Sequence, residues 1–140
     1  MQDRPNAVEL LVAVREHLEA ALLPAINDQR LRFQTLVAAN VLSIVERELA
    51  LSANHAEAEW ARLDALLHDQ VQLPATASDV RTKLAERNRE LCAQIEAGAW
   101  DDAAERTALL AHVQQTATEK LEIANPRFLA RAMAERPRNQ

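Results

Sequence analysis

The chain has 140 residues, of which 49% are apolar, and its formal net charge is −5. This length fits a single domain, the apolar share argues against intrinsic disorder, and no apolar run approaches the roughly 20 residues that a membrane span requires. The acidic balance argues against a dedicated nucleic-acid-binding protein, because such proteins neutralise phosphates with Lys and Arg.

The first two predicted helices cover about residues 7–22 and 30–51. The first begins with Asn6-Ala7-Val8-Glu9, which has the form of a capping box, and ends before Pro24. The second is apolar on nearly every face before its charged end. A helix with this pattern is usually buried at the centre of a domain, so residues 30–51 are predicted to form the central helix.

The third predicted helix begins at Asn54-x-x-Glu57, a second sequence with the form of a capping box, and ends near His68. Small and large apolar residues recur along it at helical spacing. This stripe is expected to face inward, and it consists of Ala53, Ala56, Trp60, Leu63 and Leu67.

The remaining predicted helices have clear start and stop signals. Ser78 can cap a fourth helix that ends at Gly98, and Asp102-x-x-Glu105 opens a fifth. Pro126 can start a short sixth helix, because proline is favoured in the first turn. The stripe of the fifth helix that is expected to face inward consists of Leu110, Val113, Ala117, Leu121 and Ala124.

The connectors are short, so sequential helices are expected to be antiparallel neighbours. No segment alternates apolar and polar residues as a half-buried strand does. The sequence therefore predicts an all-α protein, an up-and-down bundle of four to five antiparallel helices with a short C-terminal helix. Residues 1–140 are expected to form one helical-bundle domain, with 127–140 as a candidate for a loosely ordered tail.

Motifs for catalysis and metal binding are missing from the sequence. None of the four histidines follows a Glu by three positions, so neither the di-iron Glu-x-x-His pattern nor the zinc His-Glu-x-x-His motif is present. Gly98 is the only glycine, although phosphate-binding loops and nucleophile elbows depend on glycine. Cys92, the only cysteine, is expected to pack as a small apolar residue. No catalytic residue, metal site or cofactor is predicted.

Histidines leave one further alternative open. His55 and His68 lie near predicted helix ends, where lone surface histidines are common. An enzyme site that pairs a histidine with a carboxylate only in space would leave no motif in the sequence. Such a site is kept as a minor alternative to a non-catalytic protein.

Polar residues on apolar stripes are the most informative irregularities. Asn40 and Glu48 share a stripe of the second helix with Phe33, Val37 and Ile44, at steps of three or four residues, and Asn88 interrupts the stripe of the fourth helix. Both asparagines are therefore predicted to be mostly buried and hydrogen-bonded, because an unpaired buried amide costs about 1–3 kcal/mol. They either fix the register of the core or line a ligand pocket or partner groove together with Glu48.

The C-terminal segment is basic. Its arginines face a single nearby acid, Glu135, and they are Arg127, Arg131, Arg136 and Arg138. The alternatives for this segment are a frayed terminus and an element that docks to a partner.

The N-terminal residues show no secretory signal, and a lone cysteine suits a reduced compartment. A cytoplasmic location without membrane attachment is therefore expected.

Three short motifs occur in order along nearly the whole chain. They are Arg4-Pro5-x-x-x-Glu9-Leu10-Leu11, Leu31 to Asn40 followed by Glu46-Arg47-Glu48, and Lys120-Leu121-x-Ile123-Ala124-Asn125-Pro126. In these motifs the chain resembles a small family of uncharacterised bacterial all-helical proteins that contain a domain of unknown function. Members of that family are encoded beside, or occasionally fused to, aminoglycoside-phosphotransferase-like kinases and acyl-CoA dehydrogenases. The resemblance supplies no functional residues.

The resemblance implies an accessory role in fatty-acyl or hydroxyacyl-CoA metabolism. Together with the missing catalytic motifs, it predicts a non-catalytic helical accessory or interaction protein that supports a phosphotransferase-like kinase. The expected partner is such a kinase or an acyl-CoA dehydrogenase, and a homo-oligomer is left open. The alternative function is a helical bundle that binds an acyl or CoA-like small molecule between its helices.

Overall fold

The computed structural model describes residues 4–135, and every regular element in that range is helical. The all-α helical bundle predicted from the sequence is confirmed. No helix among the described residues combines the length and apolarity that crossing a membrane requires. The elements are α1 (Ala7–His17), a π-helical turn (Leu18–Leu22), α2 (Leu23–Ala25), α3 (Gln29–Leu67), α4 (Ala77–Glu96), α5 (Ala103–Ala124) and α6 (Pro126–Glu135).

Two helix starts follow the capping signals in the sequence. Asn6 and Glu9 form the predicted capping box, with Glu9 N donating to Asn6 Oδ1 at 2.9 Å and Asn6 N donating to Glu9 Oε2 at 2.7 Å. Asp102 Oδ1 accepts a hydrogen bond from Ala104 N at 2.8 Å. These side chains satisfy N–H groups that the first helical turn leaves without a partner.

Local sequence signals also define the two ends of α4, although the N-cap residue is not the predicted one. Thr76, rather than the predicted Ser78, accepts the hydrogen bond of Asp79 N at 3.1 Å. Beyond the other end, Gly98 has a φ of 79°, the left-handed conformation that glycine adopts without steric cost. The predicted stop at Gly98 is therefore confirmed.

Pro24 does not end the first helical segment. Proline lacks an N–H, and its ring crowds the carbonyl one turn earlier in a regular α-helix. Here the backbone widens into a π-helical turn, in which Leu23 N donates to Leu18 O. The helical conformation therefore continues to Ala25, beyond the predicted end at residue 22.

α3 is a single helix of 39 residues, where the sequence analysis predicted two. Asn54 and Glu57 have the residue types of a capping box, but no proline or glycine lies between the start of α3 at Gln29 and Asn54. A capping motif starts a helix only where the preceding chain leaves the helical conformation. The prediction of a separate helix beginning at Asn54 is wrong.

The described chain divides into two compact units. Unit 1 comprises residues 4–51 and 123–125, and unit 2 comprises residues 52–122 and 126–135. Thus α3 contributes its residues up to Leu51 to unit 1 and the rest to unit 2. The single domain expected from the sequence stays a prediction.

Unit 2 contains an apolar core between α3, α4 and α5. Leu63 has no exposed surface and Trp60 is 4% exposed. Leu67 packs against this core from its edge. The predicted inward positions of Trp60, Leu63 and Leu67 are confirmed. The buried core residues are Trp60, Leu63, Leu66, Val80, Leu84, Leu91 and Leu109.

Unit 1 buries fewer apolar side chains, among them Leu23 and Ala39. Polar contacts hold its helices together: Arg15 Nε donates to Glu46 Oε1 at 2.8 Å, and Arg32 Nη1 donates to Leu23 O at 3.1 Å. Most large apolar residues of 30–51 remain exposed. The prediction that this segment is a buried central helix is therefore wrong for the single chain.

Candidate functional site

A partly buried ion pair joins α3 to α5 in unit 2. Arg62 donates from Nη1 to Glu119 Oε1 at 2.8 Å and from Nη2 to Glu119 Oε2 at 2.6 Å. Gln115 Nε2 donates to Glu119 Oε1 at 3.1 Å. Burial favours a raised pKa for Glu119, but the hydrogen bonds from Arg62 and Gln115 outweigh it and lower that pKa. A carboxylate held in this way is a poor general base, since an effective base has a pKa near the working pH.

Two histidines lie near this ion pair. His112 is 5% exposed, and its Nδ1 is buried without a hydrogen-bond partner. Burial lowers the pKa of His112, and the charge of Arg62 lowers it further, so both effects favour the neutral ring. His55 Nε2 lies 3.0 Å from Glu122 Oε2. The expectation of a lone surface histidine at His55 is wrong, because α3 continues through this position and brings it to α5.

A second charged cluster surrounds Arg87 of α4, which is 6% exposed. Its Nη2 lies 2.6 Å from Asp69 Oδ1 and 2.7 Å from Asp64 Oδ1. Its guanidinium carbon lies 4.7 Å from the centroid of the Trp60 ring, a cation–π contact. Trp60 Nε1 donates to Val71 O at 2.9 Å. The pKa of Asp69 is raised, chiefly by burial, although Arg87 opposes that effect.

Sequence reasoning missed Arg87 as a buried residue. Its neighbour Asn88 was assigned to the inward stripe, and Arg87 lies beside that stripe on the same helix. The signal available was weak, since a buried arginine is expected only where partners neutralise it. Those partners, Asp64 and Asp69, come from the end of α3 and the loop that follows it.

A cleft of about 390 Å³ lies beside this second cluster. Its carboxylates would repel the phosphates of a CoA-like ligand, so the cleft gives no support to the acyl- or CoA-binding alternative. Within residues 4–135, no group of three His, Cys, Asp or Glu side chains is arranged to hold a metal ion. The residues that line the cleft are Asp64, Ala65, His68, Asp69 and Gln70.

The three candidate polar residues lie in different environments. Asn88, in unit 2, is half-buried, and its Nδ2 donates to Glu59 Oε1 at 2.8 Å. The hydrogen bond predicted for Asn88 is therefore present. Asn40 and Glu48, both in unit 1, are exposed. The predicted burial of Asn40 is wrong, because residues 4–135 do not cover the side of α3 on which it lies.

Two further expectations about burial are also wrong. Leu110 and Val113 of α5 are 61% and 49% exposed, whereas His112 and Glu119 are buried. The inner side of this helix is partly polar, so the apolar stripe does not identify it. Cys92 is exposed rather than packed inside, because it lies one position beyond the buried residue Leu91 of α4.

α6 presents a mixed apolar and basic surface. Phe128 and Met133 are 48% and 52% exposed, while Leu129 between them in sequence is half-buried. Arg127 and Arg131 of the predicted docking tail are exposed on this helix. The other two members, Arg136 and Arg138, lie outside the described residues.

A family model described as "Domain of unknown function (DUF6285)" matches residues 24–128 of the chain. The chain belongs to this family. The DUF6285 match covers α3, α4 and α5 completely, and hence both charged clusters of unit 2. No match was found among curated proteins or among solved structures.

Proposed function

We propose that this DUF6285 protein is a non-catalytic accessory protein that binds and supports a phosphotransferase-like kinase in acyl-CoA metabolism. The observation that carries the proposal is the surface of α6. Phe128 and Met133 are both about half exposed, and Arg127 and Arg131 are exposed on the same helix. Aromatic, methionine and arginine side chains are the types enriched at protein–protein interfaces.

The charged groups of unit 2 support a non-catalytic role. Arg62 and Glu119 engage each other through both prongs of the guanidinium, and Arg87 lies between two carboxylates. Groups committed to ion pairs hold helices together and are poorly suited to proton transfer. Their arrangement is that of a polar core that fixes the positions of α3, α4 and α5.

The resemblance of the sequence motifs supports the choice of partner, because it implies genes for aminoglycoside-phosphotransferase-like kinases and acyl-CoA dehydrogenases as neighbours. The surface of α6 adds the chemistry that the partner must offer. An acidic surface would complement Arg127 and Arg131, and apolar surfaces on either side of it would contact Phe128 and Met133, which lie about 140° apart around the helix. The kinase is the proposed partner, and the dehydrogenase is the second protein to test.

The proposal is tested by co-expressing the protein with the neighbouring kinase and separating the products by size-exclusion chromatography. The wild-type protein is expected to elute with the kinase, and Met133→Glu is expected to weaken the complex by about tenfold or more. Leu110→Glu, a matched change at an exposed residue of α5, is expected to leave the complex intact. Separate elution at micromolar concentration, with unchanged kinase activity when the protein is added, contradicts the proposal.

A further inference from the structure

We propose that the protein forms a homodimer in which the first part of α3 packs antiparallel against the same segment of a second copy. The contact surface is one side of α3, here called the α3 face. Successive members are three or four residues apart, with Val41 beside Asn40, so they share one side of the helix. The α3 face consists of Arg30, Phe33, Val37, Asn40, Val41, Ile44 and Glu48.

The apolar members of the α3 face are unusually accessible. Phe33 is 66% exposed, Val37 45% and Val41 49%, while Ile44 is half-buried. The described residues thus cover Ile44 in part and leave at least 45% of each of the other three side chains exposed. A sequence that places phenylalanine and valine at helical spacing on a solvent-facing side is typical of an interface.

Unit 1 has further exposed apolar side chains besides those of the α3 face. A stable interface buries about 800 Å² on each partner, so the margins of the face have to contribute as well as its apolar members. Leu36 and Val45 lie on opposite margins of the α3 face and are 48% and 38% exposed. The other exposed large apolar residues of unit 1 are Leu10, Val14, Leu22, Leu31 and Leu49.

The charges at the ends of the α3 face favour a second copy in antiparallel orientation. Arg30 and Glu48 are five helical turns apart, about 27 Å along the axis, and therefore lie on the same side of α3. In an antiparallel pair, Arg30 of each copy meets Glu48 of the other. A parallel pair would instead place like charges together at both ends. The face is thus complementary to itself in one orientation.

Asn40 gains a role in this arrangement. It lies close to the midpoint between Arg30 and Glu48, so a two-fold axis at this point brings the Asn40 side chains of the two copies together. An amide both donates and accepts hydrogen bonds, which lets two asparagines satisfy each other. A single asparagine in an apolar helix interface fixes the register of pairing. The apolar stripe predicted from the sequence therefore keeps its position on α3, and a second chain, rather than the same chain, covers it.

Self-association through unit 1 does not depend on the proposed docking of a kinase to α6, and separate variants test the two. Sedimentation of the full-length protein between about 1 and 100 µM is expected to show a dimer of twice 15.6 kDa. Val37→Glu/Val41→Glu is expected to sediment as a folded monomer, while Met133→Glu stays dimeric. A wild-type monomer at 100 µM, or loss of the dimer in Met133→Glu as well, overturns the assignment.

Charge reversal tests the orientation. Arg30→Glu and Glu48→Arg are each expected to weaken the dimer by about tenfold, because each places like charges together in the antiparallel pair. The double variant Arg30→Glu/Glu48→Arg is expected to restore the wild-type affinity. A parallel dimer would respond to none of these changes, and that result overturns the antiparallel arrangement.

Cysteine cross-linking tests the dimer through the α3 face independently, in case Val37→Glu/Val41→Glu fails to fold. In a Cys92→Ser background, Asn40→Cys is expected to form a covalent dimer under mild oxidation, because the two residues lie at the two-fold axis. Glu57→Cys, an exposed position elsewhere on α3, is the control and is expected to stay monomeric on a denaturing gel. Absence of the Asn40→Cys dimer, or equal cross-linking at both positions, overturns the proposal.

Discussion

Arg62 of α3 donates two hydrogen bonds to Glu119 of α5, and the two side chains are only 25% and 9% exposed. Replacing Arg62 by Met leaves the Glu119 carboxylate buried without its cation. This change is expected to lower the free energy of unfolding by about 2–4 kcal/mol, because a buried charge without a partner is costly. Urea unfolding followed by circular dichroism measures the effect.

The matched control for this prediction removes both charges. Arg62→Met/Glu119→Met is expected to be more stable than Arg62→Met alone, since no uncompensated charge remains. If the double variant is less stable than the single variant, the loss in Arg62→Met comes from packing rather than from the stranded carboxylate.

His112 is expected to make the protein sensitive to mild acid. Its pKa in the folded protein is lowered from the ordinary value of 6.5, first by burial and then by Arg62, while Glu59 and Glu119 oppose the shift. The unfolded chain therefore takes up a proton before the folded one does, so stability falls as the pH drops below about 6.5. The urea midpoint should decrease from pH 7.5 to 5.5 in the wild type and decrease less in His112→Leu.

The control for the histidine experiment is His17→Gln, which changes an exposed histidine of α1. It should reproduce the pH dependence of the wild type. Equal slopes for the wild type and His112→Leu would show that another group causes the acid sensitivity. The lowered pKa of Glu119 acts below its ordinary value of 4.5 and hence outside this pH window.

Apolar periodicity predicted the core of unit 2 well. Trp60 and Leu63 recur at helical spacing, and both are buried. The same reasoning placed Leu110 on the inner side of α5, where the structure has His112 and Glu119. Periodicity detects only apolar burial, so it fails for a helix whose buried side is polar and paired across the core.

Trp60 is expected to be a major contributor to stability. Trp60→Ala should lower the free energy of unfolding by about 3–5 kcal/mol, because it opens a cavity in the core and removes the ring that Arg87 contacts. Trp60→Phe keeps most of the apolar volume but loses the hydrogen bond from Nε1 to Val71 O. Its cost should be clearly smaller in the same unfolding assay. Similar costs for the two variants would contradict this account of the packing.

His68 follows the last residue of α3 with a φ of 53°, a left-handed conformation that is strained for a residue with a Cβ. His68→Gly is therefore expected to stabilise the protein by about 0.5–1 kcal/mol. His68→Val should destabilise it, because a β-branched residue tolerates this conformation poorly. Thermal unfolding that ranks valine above glycine would contradict the prediction.

The candidate sites were only partly predictable from the sequence. The basic residues Arg127 and Arg131 stand out in the sequence and are exposed on α6. The ion pairs of Arg87 could not be predicted, because Asp64 and Asp69 approach it only through folding. Asn40 shows a related limit: an apolar stripe indicates burial but does not say whether the same chain provides the cover.

The central claim is that α6 docks the protein to a phosphotransferase-like kinase, and hydrogen–deuterium exchange tests it most directly. Exchange of the full-length protein is measured alone and with the purified neighbouring kinase at saturating concentration. The account predicts slower exchange in residues 126–135 of the wild-type protein when the kinase is present, and no such slowing in Met133→Glu under the same conditions. Unchanged exchange in 126–135, or protection confined to other segments, would contradict it.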